Sequence, residues 1–482
     1  MAIAMAAVAD HPRGFTMHVP VGAGAQLNLT GGAAVTMLPA LPEGRSLADV
    51  CAETQFCRCG VVLRLPWSFD GELRGYVAFK VLDKAALKAD GDMADKEVEA
   101  MARVAPRGLL ACAEDGVSRP APGMPRWDTF EDDLNVYIVT EWAEGGSLAS
   151  WSRRAVAELM TTGQRDLWYS EHLPRMYHQL TEAMEHMHAH GVVHLDLDPK
   201  NCVMARNVHP TTGAVCYDLL VIDFGSARAV ESPTTLVGDT GVKFKLRFMS
   251  PQVGEYYRRG TRFAGAPADV FQAGAILWWL LVLPIALSQR EDDGTGRGRS
   301  VPVDEVALDM GGNWRRNLLS HFAEGHADQQ AALAERAHET AAKHAAACEE
   351  AHACGLEPPA ALRDVDLLPP YKPTDCMCCR WSFDIPNCWR QALWACLQDE
   401  PAERPTMTAL REHITAICQS LADEEAAVAE AVAASEAEEM EEIAKAAAQQ
   451  ADLLVAFSKA EEFDEEISDN PASATAVAAL SV

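Results

Sequence analysis

Two short acidic turns constrain this chain more than any other feature. The first is His194-Leu195-Asp196-Leu197-Asp198-Pro199-Lys200-Asn201, and the second, about 20 residues on, is Asp223-Phe224-Gly225. Val192 and Val193 lead into the first, and Leu220-Val221-Ile222 leads into the second. An apolar run that breaks into Asp, Asn and Gly reads as a strand ending at a loop. Two such loops side by side bring together three oxygen-bearing groups, those of Asp196, Asn201 and Asp223. Upstream, Leu173 to His190 has apolar residues at helical spacing and stops at Gly191.

The periods around these turns change once along the chain. Val61–Leu65, Tyr76–Leu82, Leu109–Ala113 and Asn135–Thr140 are short apolar runs between turn residues, which predicts strands. One helical stretch, Met93 to Val104, interrupts them, with Val98, Met101 and Val104 on one face. From about residue 147 helical periods dominate, broken by a strand pair, Cys202–Met204 and Leu219–Ile222, and resumed in Ala268–Leu283. Strands first and helices second predict an α+β chain of two lobes. Residues 1 to about 45 are Ala- and Gly-rich without a firm period and read as an N-terminal arm, in part disordered. An insertion of about 290–375 starts with a Gly- and Arg-rich loop, Arg290–Ser300, and continues in an Ala-, Glu- and His-rich stretch, Ala323–Cys354, that reads as an exposed helix. The tail, 421–482, is acidic and Ala/Glu-rich, a solvated helix or a disordered segment.

Composition excludes some functions. The chain has 482 residues and a formal net charge of −29, which argues against holding nucleic acid by its phosphate backbone. Hydrophobic residues make up 49%, enough for a large core. The longest uncharged apolar run, Val270 to Ser288, is interrupted by Pro284 and reads as a buried helix, not a membrane span. The apolar start, Met1 to Ala9, lacks a basic stretch and does not read as a signal peptide. The 14 cysteines are mostly single, as in reduced intracellular proteins. Cys376, Cys378, Cys379 and Cys388 match no common zinc spacing. The expectation is an intracellular, cytoplasmic protein with no nucleic-acid or membrane partner.

Phosphoryl transfer needs hard oxygen ligands for a metal, a carboxylate near the attacking hydroxyl and a cation on the phosphates. Val77-Ala78-Phe79-Lys80 ends a strand in a lysine, and Glu97 lies in the following helix. With the two acidic turns, with Phe248-Met249-Ser250-Pro251-Gln252 and with Glu403-Arg404-Pro405, these motifs stand in the order found in eukaryotic protein kinases. Over roughly residues 48–420 the chain resembles that family, in its divergent form without an arginine before the catalytic aspartate. The resemblance implies a kinase domain at about 46–420. A small β-rich N-lobe would span about 46–143, and a large helical C-lobe with the insertion about 144–420. It implies ATP and Mg2+ as cofactors and a protein substrate, with Ser/Thr favoured over Tyr. Lys80 would meet the α/β-phosphates and pair with Glu97, which fits better than Glu99. Asp196 would be the catalytic base, and Asn201 and Asp223 would hold magnesium. Thr140 would stand at the back of the nucleotide pocket, and Glu141 to Ala143 would form the hinge that binds adenine. His194 would pack against the Asp-Phe-Gly turn, and Asp269 would brace the catalytic loop.

The departures from the family are specific. The best match to the phosphate-cradling loop, Ala52 to Cys57, keeps the aromatic Phe56 but none of the three glycines. A second register ending at Gly60 keeps one. Leu195 replaces the arginine that senses a phosphorylated activation segment. Asp198 replaces a lysine, putting an acid near developing negative charge, and Lys200 is the residue placed to compensate. Gln252 replaces a glutamate that pairs with Arg404. The alternative reading is a pseudokinase, a nucleotide-binding or scaffold module. The insertion and the acidic tail are candidate docking segments for a partner.

Overall fold

A computed structural model describes residues 6–10, 12–13, 16–20, 26–29, 33–37, 54–90, 94–107, 121–208, 213–238, 248–288, 346 and 387–468. The predicted strand Leu109–Ala113, most of the insertion and the cysteines at 376, 378 and 379 lie outside them. Residues 1–418 form one compact unit and residues 419–482 a second.

The first unit opens with β1 (Ala6–Asp10) and β2 (Thr16–Pro20), an antiparallel pair. The main sheet follows, built from β3 (Gln26–Asn28), β4 (Ala33–Thr36), β5 (Thr54–Cys57), β6 (Gly60–Phe69), β7 (Glu72–Asp83), β8 (Trp127–Glu131) and β9 (Asn135–Glu141). Its order is β3-β4-β6-β7-β9-β8, with β5 also paired to β6. β5 occupies the edge of β6 from Gly60 to Leu63, and β4 occupies it from Trp67 to Phe69. Part of the stretch read as an arm thus belongs to the sheet: Leu27, Val35 and Met37 are buried in its core. Strands of three and four residues are too short to show a period.

Alternation along β7 decides what the sheet presents. Val77, Phe79 and Val81 point into the core with Leu63, Leu65, Tyr137 and Val139. Their neighbours Ala78 and Lys80 therefore share the opposite face, beside Thr140 and Ile138 of β9 across the ladder.

Helix α1 (Lys84–Ala89) is capped by Asp83, whose side chain accepts the Ala86 amide. Helix α2 (Ala94–Val104) buries Ala94, Glu97, Ala100, Met101 and Val104 at spacings of three and four. An acid in such a stripe demands a partner.

The helical part holds α3 (Leu148–Thr161), a π-turn at Trp168–His172, α4 (Leu173–Ala189), the short strand β10 (Val192–Val193) and the hairpin of β11 (Cys202–Val208) and β12 (Val215–Val221). Next come β13 (Arg228–Ala229), β14 (Leu236–Val237), α5 (Pro251–Arg259), β15 (Phe263–Ala264), α6 (Gly265–Ser288), α7 (Asn387–Cys396) and α8 (Met407–Ser468). α4 stops where expected, with Gly191 at φ 66°.

The apolar run is the central helix α6, 94% buried over its most apolar window, so it is core. Pro284 removes the N–H that would bond the Leu280 carbonyl. The Trp168 indole donates to that carbonyl instead (3.0 Å), and the Tyr169 hydroxyl donates to Leu281 (3.1 Å). Gly274 lets α7 cross closely, because a Cβ there would lie 2.4 Å from that of Cys396.

The second unit is the remainder of α8 from Gln419. Val428, Val432, Met440, Ile443 and Val455 are exposed along it, and Lys445 pairs with Glu441 one turn back (2.6 Å).

Candidate active site

Lys80 comes to the site from β7 and Glu97 from the buried stripe of α2. Lys80 Nζ lies 2.7 Å and 3.0 Å from the two Glu97 carboxylate oxygens and 3.2 Å from Asp223 Oδ1. Burial works against the ammonium charge, but the Glu97 and Asp223 carboxylates outweigh it and hold the group well above its usual range. Glu99 instead pairs with Arg103 on the surface at 3.0 Å. Phe224, next to the exposed Asp223, is buried, and its ring lies 5.6 Å from that of His194.

The catalytic loop is a closed set of hydrogen bonds. His194 Nε2 donates to the Ile222 carbonyl (3.1 Å), which leaves Nδ1 to accept the Asp196 amide (3.3 Å). Asn201 Nδ2 donates to the Asp196 carbonyl (2.7 Å) and to its Oδ2 (3.1 Å). The Ile222 amide donates to the Asn201 carbonyl (2.8 Å), tying the two acidic turns together.

The loop is braced from α6. Asp269, fully buried, accepts the His194 amide (2.8 Å) and His188 Nε2 (2.9 Å) on Oδ2, and the Leu195 amide (2.8 Å) on Oδ1. Gln272, one turn further along, accepts the Leu197 amide (3.0 Å) and donates to the Leu195 carbonyl (3.0 Å). Sequence reading placed Asp269 here and missed Gln272. Its signal was being the one amide side chain in the uncharged run Val270 to Ser288.

Two departures from the family look different in three dimensions. Asp198 is buried (2% exposed), and its Oδ1 accepts the amides of Lys200 (2.7 Å) and Asn201 (2.8 Å). The acid caps the turn, as Asp does where successive N–H groups need an acceptor. Beside the electrostatic effect expected of it, Asp198 thus has a structural role, with one carboxylate oxygen held by the backbone. Gln252 does pair with Arg404, accepting its Nη2 at 2.7 Å, and also donates to the Asp399 carbonyl, a bond that a glutamate could not make.

Leu195 lies in an apolar cluster with Val230, Val237, Val253 and Phe263. The activation segment is thereby anchored by apolar packing where the family uses an arginine.

The β5–β6 hairpin departs furthest. β5 and β6 join through a two-residue turn, Arg58–Cys59, with Cys57 opposite Gly60. Lys80 sits opposite Val62, so the hairpin ends two residues beyond it. Arg58 forms an ion pair with Asp90, and Cys59 Sγ lies 3.5 Å from the same carboxylate. Gly60 is there for packing, because a Cβ would stand 1.8 Å from the Val81 carbonyl oxygen. Phe56 sits on β5 opposite Val61, 42% exposed.

On β9, Thr140 pairs across the ladder with Ala78. The Glu141 amide donates to Arg126 and that of Trp142 to Tyr76. Among the described residues the Ala143 N–H has no partner. Asn201 and Asp223 present oxygens of the hard type that magnesium takes. The contacts of the Asn201 Nδ2 leave its Oδ1 without a partner among the described residues. That donor set fits a divalent cation.

A curled sheet over a helical body, with a strand lysine, a helix carboxylate and two acidic turns between, is the arrangement of a protein kinase domain. A model of the protein kinase domain matches residues 124–414, and the chain belongs to the protein kinase family. Human serine/threonine-protein kinase DCLK3 is 26% identical over 224 residues, 46% of this chain and 28% of the relative. CBL-interacting protein kinase 30 of Oryza sativa subsp. japonica is 30% identical over 212 residues, 42% of this chain and 36% of the relative. Calcium/calmodulin-dependent protein kinase type 1 of Macrobrachium nipponense is 25% identical over 207 residues, 42% and 48% respectively. The chain therefore spans less than half the length of each of these relatives.

Proposed function

We propose that the chain transfers the γ-phosphate of ATP to a serine or threonine hydroxyl of a protein. The observation that carries this is the Lys80 ammonium held between Glu97 and Asp223. A kinase site needs that cation fixed and that aspartate turned toward the phosphates. Lys80 binds the α/β-phosphates. The Ala143 N–H receives the adenine, with Thr140 behind it, Glu141 entering the hinge and Phe56 at the hairpin edge. Asn201 and Asp223 hold Mg2+, which when bound offsets the charge of the phosphates. Asp196, oriented by Asn201 Nδ2, accepts the hydroxyl proton. Lys200 is exposed with no side-chain partner among the described residues, and it is the loop cation available to the transferred group.

Radiolabelled transfer, with Asp196→Asn beside it, tests this. Removal of a positioned base lowers the rate by about 100- to 10,000-fold. Wild-type transfer no greater than that of the variant, on generic substrates and on itself, overturns the enzyme reading. The glycine-free hairpin favours the second reading, a kinase-shaped binding module. Stabilisation by ATP and Mg2+ without transfer supports that one. The insertion and the acidic tail are proposed docking segments under either reading.

A further inference from the structure

Asp196 is flanked by two peptide groups that one side chain grips together. Gln272 Nε2 donates to the Leu195 carbonyl and Gln272 Oε1 accepts the Leu197 amide, both at 3.0 Å, and Gln272 is 1% exposed. A carbonyl and the amide two residues on point to the same side of an extended segment. A carboxamide facing them serves as the missing neighbouring strand would.

We propose that Gln272 is a positioning residue for phosphoryl transfer, which fixes Asp196 by clamping the peptide groups on both sides of it. The proposal rests on the kinase reading above.

The chemistry of the clamp is specific. It needs a donor and an acceptor on one planar group at the reach of a Gln side chain. Asn is too short, Met has neither group, and an ionised Glu would set a carboxylate against the Leu195 carbonyl. The clamp also has something to hold. Leu195 has φ 66°, a left-handed conformation uncommon for a side chain of that size. Its amide is already held by Asp269 and its carbonyl by Gln272. With the Leu195 side chain in an apolar cluster, the loop backbone takes its geometry from α6. Released from Gln272, Leu195 can relax and carry the Asp196 carboxylate with it. A displacement of about 1 Å at a catalytic group costs on the order of 100-fold in rate.

Gln272→Met keeps the volume and the apolar surroundings. The expected result is a kcat roughly 10- to 100-fold lower, after correction for the active fraction by nucleotide titration, with KM for ATP unchanged within about twofold. The Leu197 amide exchanges faster by a similar factor. Gln272→Glu adds a pH signature. A protonated carboxyl can donate and accept as the carboxamide does, and burial favours that form. Its kcat relative to wild type therefore rises as pH falls from about 8 to about 6. Unchanged kcat and unchanged Leu197 exchange in Gln272→Met overturn the proposal, as does a Gln272→Glu variant whose kcat at pH 6 stays as low as that of Gln272→Met. If the wild type shows no transfer, the kinase reading fails separately, and protection of the Leu197 amide alone decides whether the clamp exists.

Discussion

The catalytic loop and the β5–β6 hairpin both lack residues that protein kinases usually keep, and the two are held in different ways. The loop carries Leu195 and Asp198 in place of basic residues, yet Asp196, Asn201 and Asp223 stand together with Lys80 and Glu97. The hairpin carries no glycine at its turn, and it closes in two residues beside Lys80. What differs is the source of each geometry. The loop is held through its backbone by buried acceptors on α6 and by the Asp198 carboxylate, so its side chains can change without moving it. A phosphate cradle is made by the freedom of its own glycines, and substitution there removes the shape itself.

The largest test of this contrast is Asp269→Asn. The carboxylate accepts three hydrogen bonds at zero exposure, two on Oδ2 and one on Oδ1, and a carboxamide must turn its NH2 toward one of these sets of donors. Loss of one or two bonds to a buried charged group costs about 3 kcal/mol. Chemical denaturation reads it as a lower midpoint with the slope unchanged. A loss under about 1 kcal/mol breaks the claim that α6 shapes the loop.

Gly60→Ala probes the one tight point of the hairpin. A methyl group 1.8 Å from the Val81 carbonyl oxygen forces β6 and β7 apart at that step. Overpacking of this kind costs about 2 kcal/mol. Tm and the exchange of the Val81 amide, which faces β6 across the ladder, report it. Unchanged stability would mean that Gly60 is spared for ligand approach after all.

Asp198 separates capping from electrostatics. Asp198→Ala strands two backbone amides and costs about 1 kcal/mol, as loss of a helix N-cap does. Asp198→Asn keeps the acceptor and costs less. Asp198→Lys restores the usual charge but removes the cap, so transfer falls or stays level. A rise in transfer for Asp198→Lys sinks the capping account.

The order of the motifs made the candidate catalytic groups, which the structure brings together, legible in the sequence. The family's spacing singled out Lys80 and chose Glu97 over Glu99; the structure adds that Lys80 lies on the face opposite Val77 and Phe79 and that Glu97 belongs to the buried stripe of α2. Asp269 was legible for the same reason. The direction of Asp198 was not. Whether an Asp points to a ligand or to the amides two and three residues on depends on backbone angles, not on residue type. Gln272 was hidden because a single amide in an apolar helix gives no sign of what it faces. β3 and β4 were missed because the hydrophobic pattern of such short strands carries no period. In each case the deciding contact lies far along the chain or in local backbone angles.

The smallest effect belongs to the latch on the hairpin. Arg58 pairs with Asp90 at a position where the arginine side chain is 44% exposed. Exposed ion pairs contribute about 0–1 kcal/mol, and less as salt rises. Arg58→Ala should therefore leave Tm within about 2 °C of wild type, the shift that such a small loss gives in a domain of this size. It should speed amide exchange in Thr54–Cys57 while leaving His194–Asn201 unaffected. Raising the salt concentration on the wild type should reproduce part of that loosening. If the catalytic loop loosens as well, the two regions are coupled, and the contrast between a backbone-braced loop and a tip-latched hairpin fails.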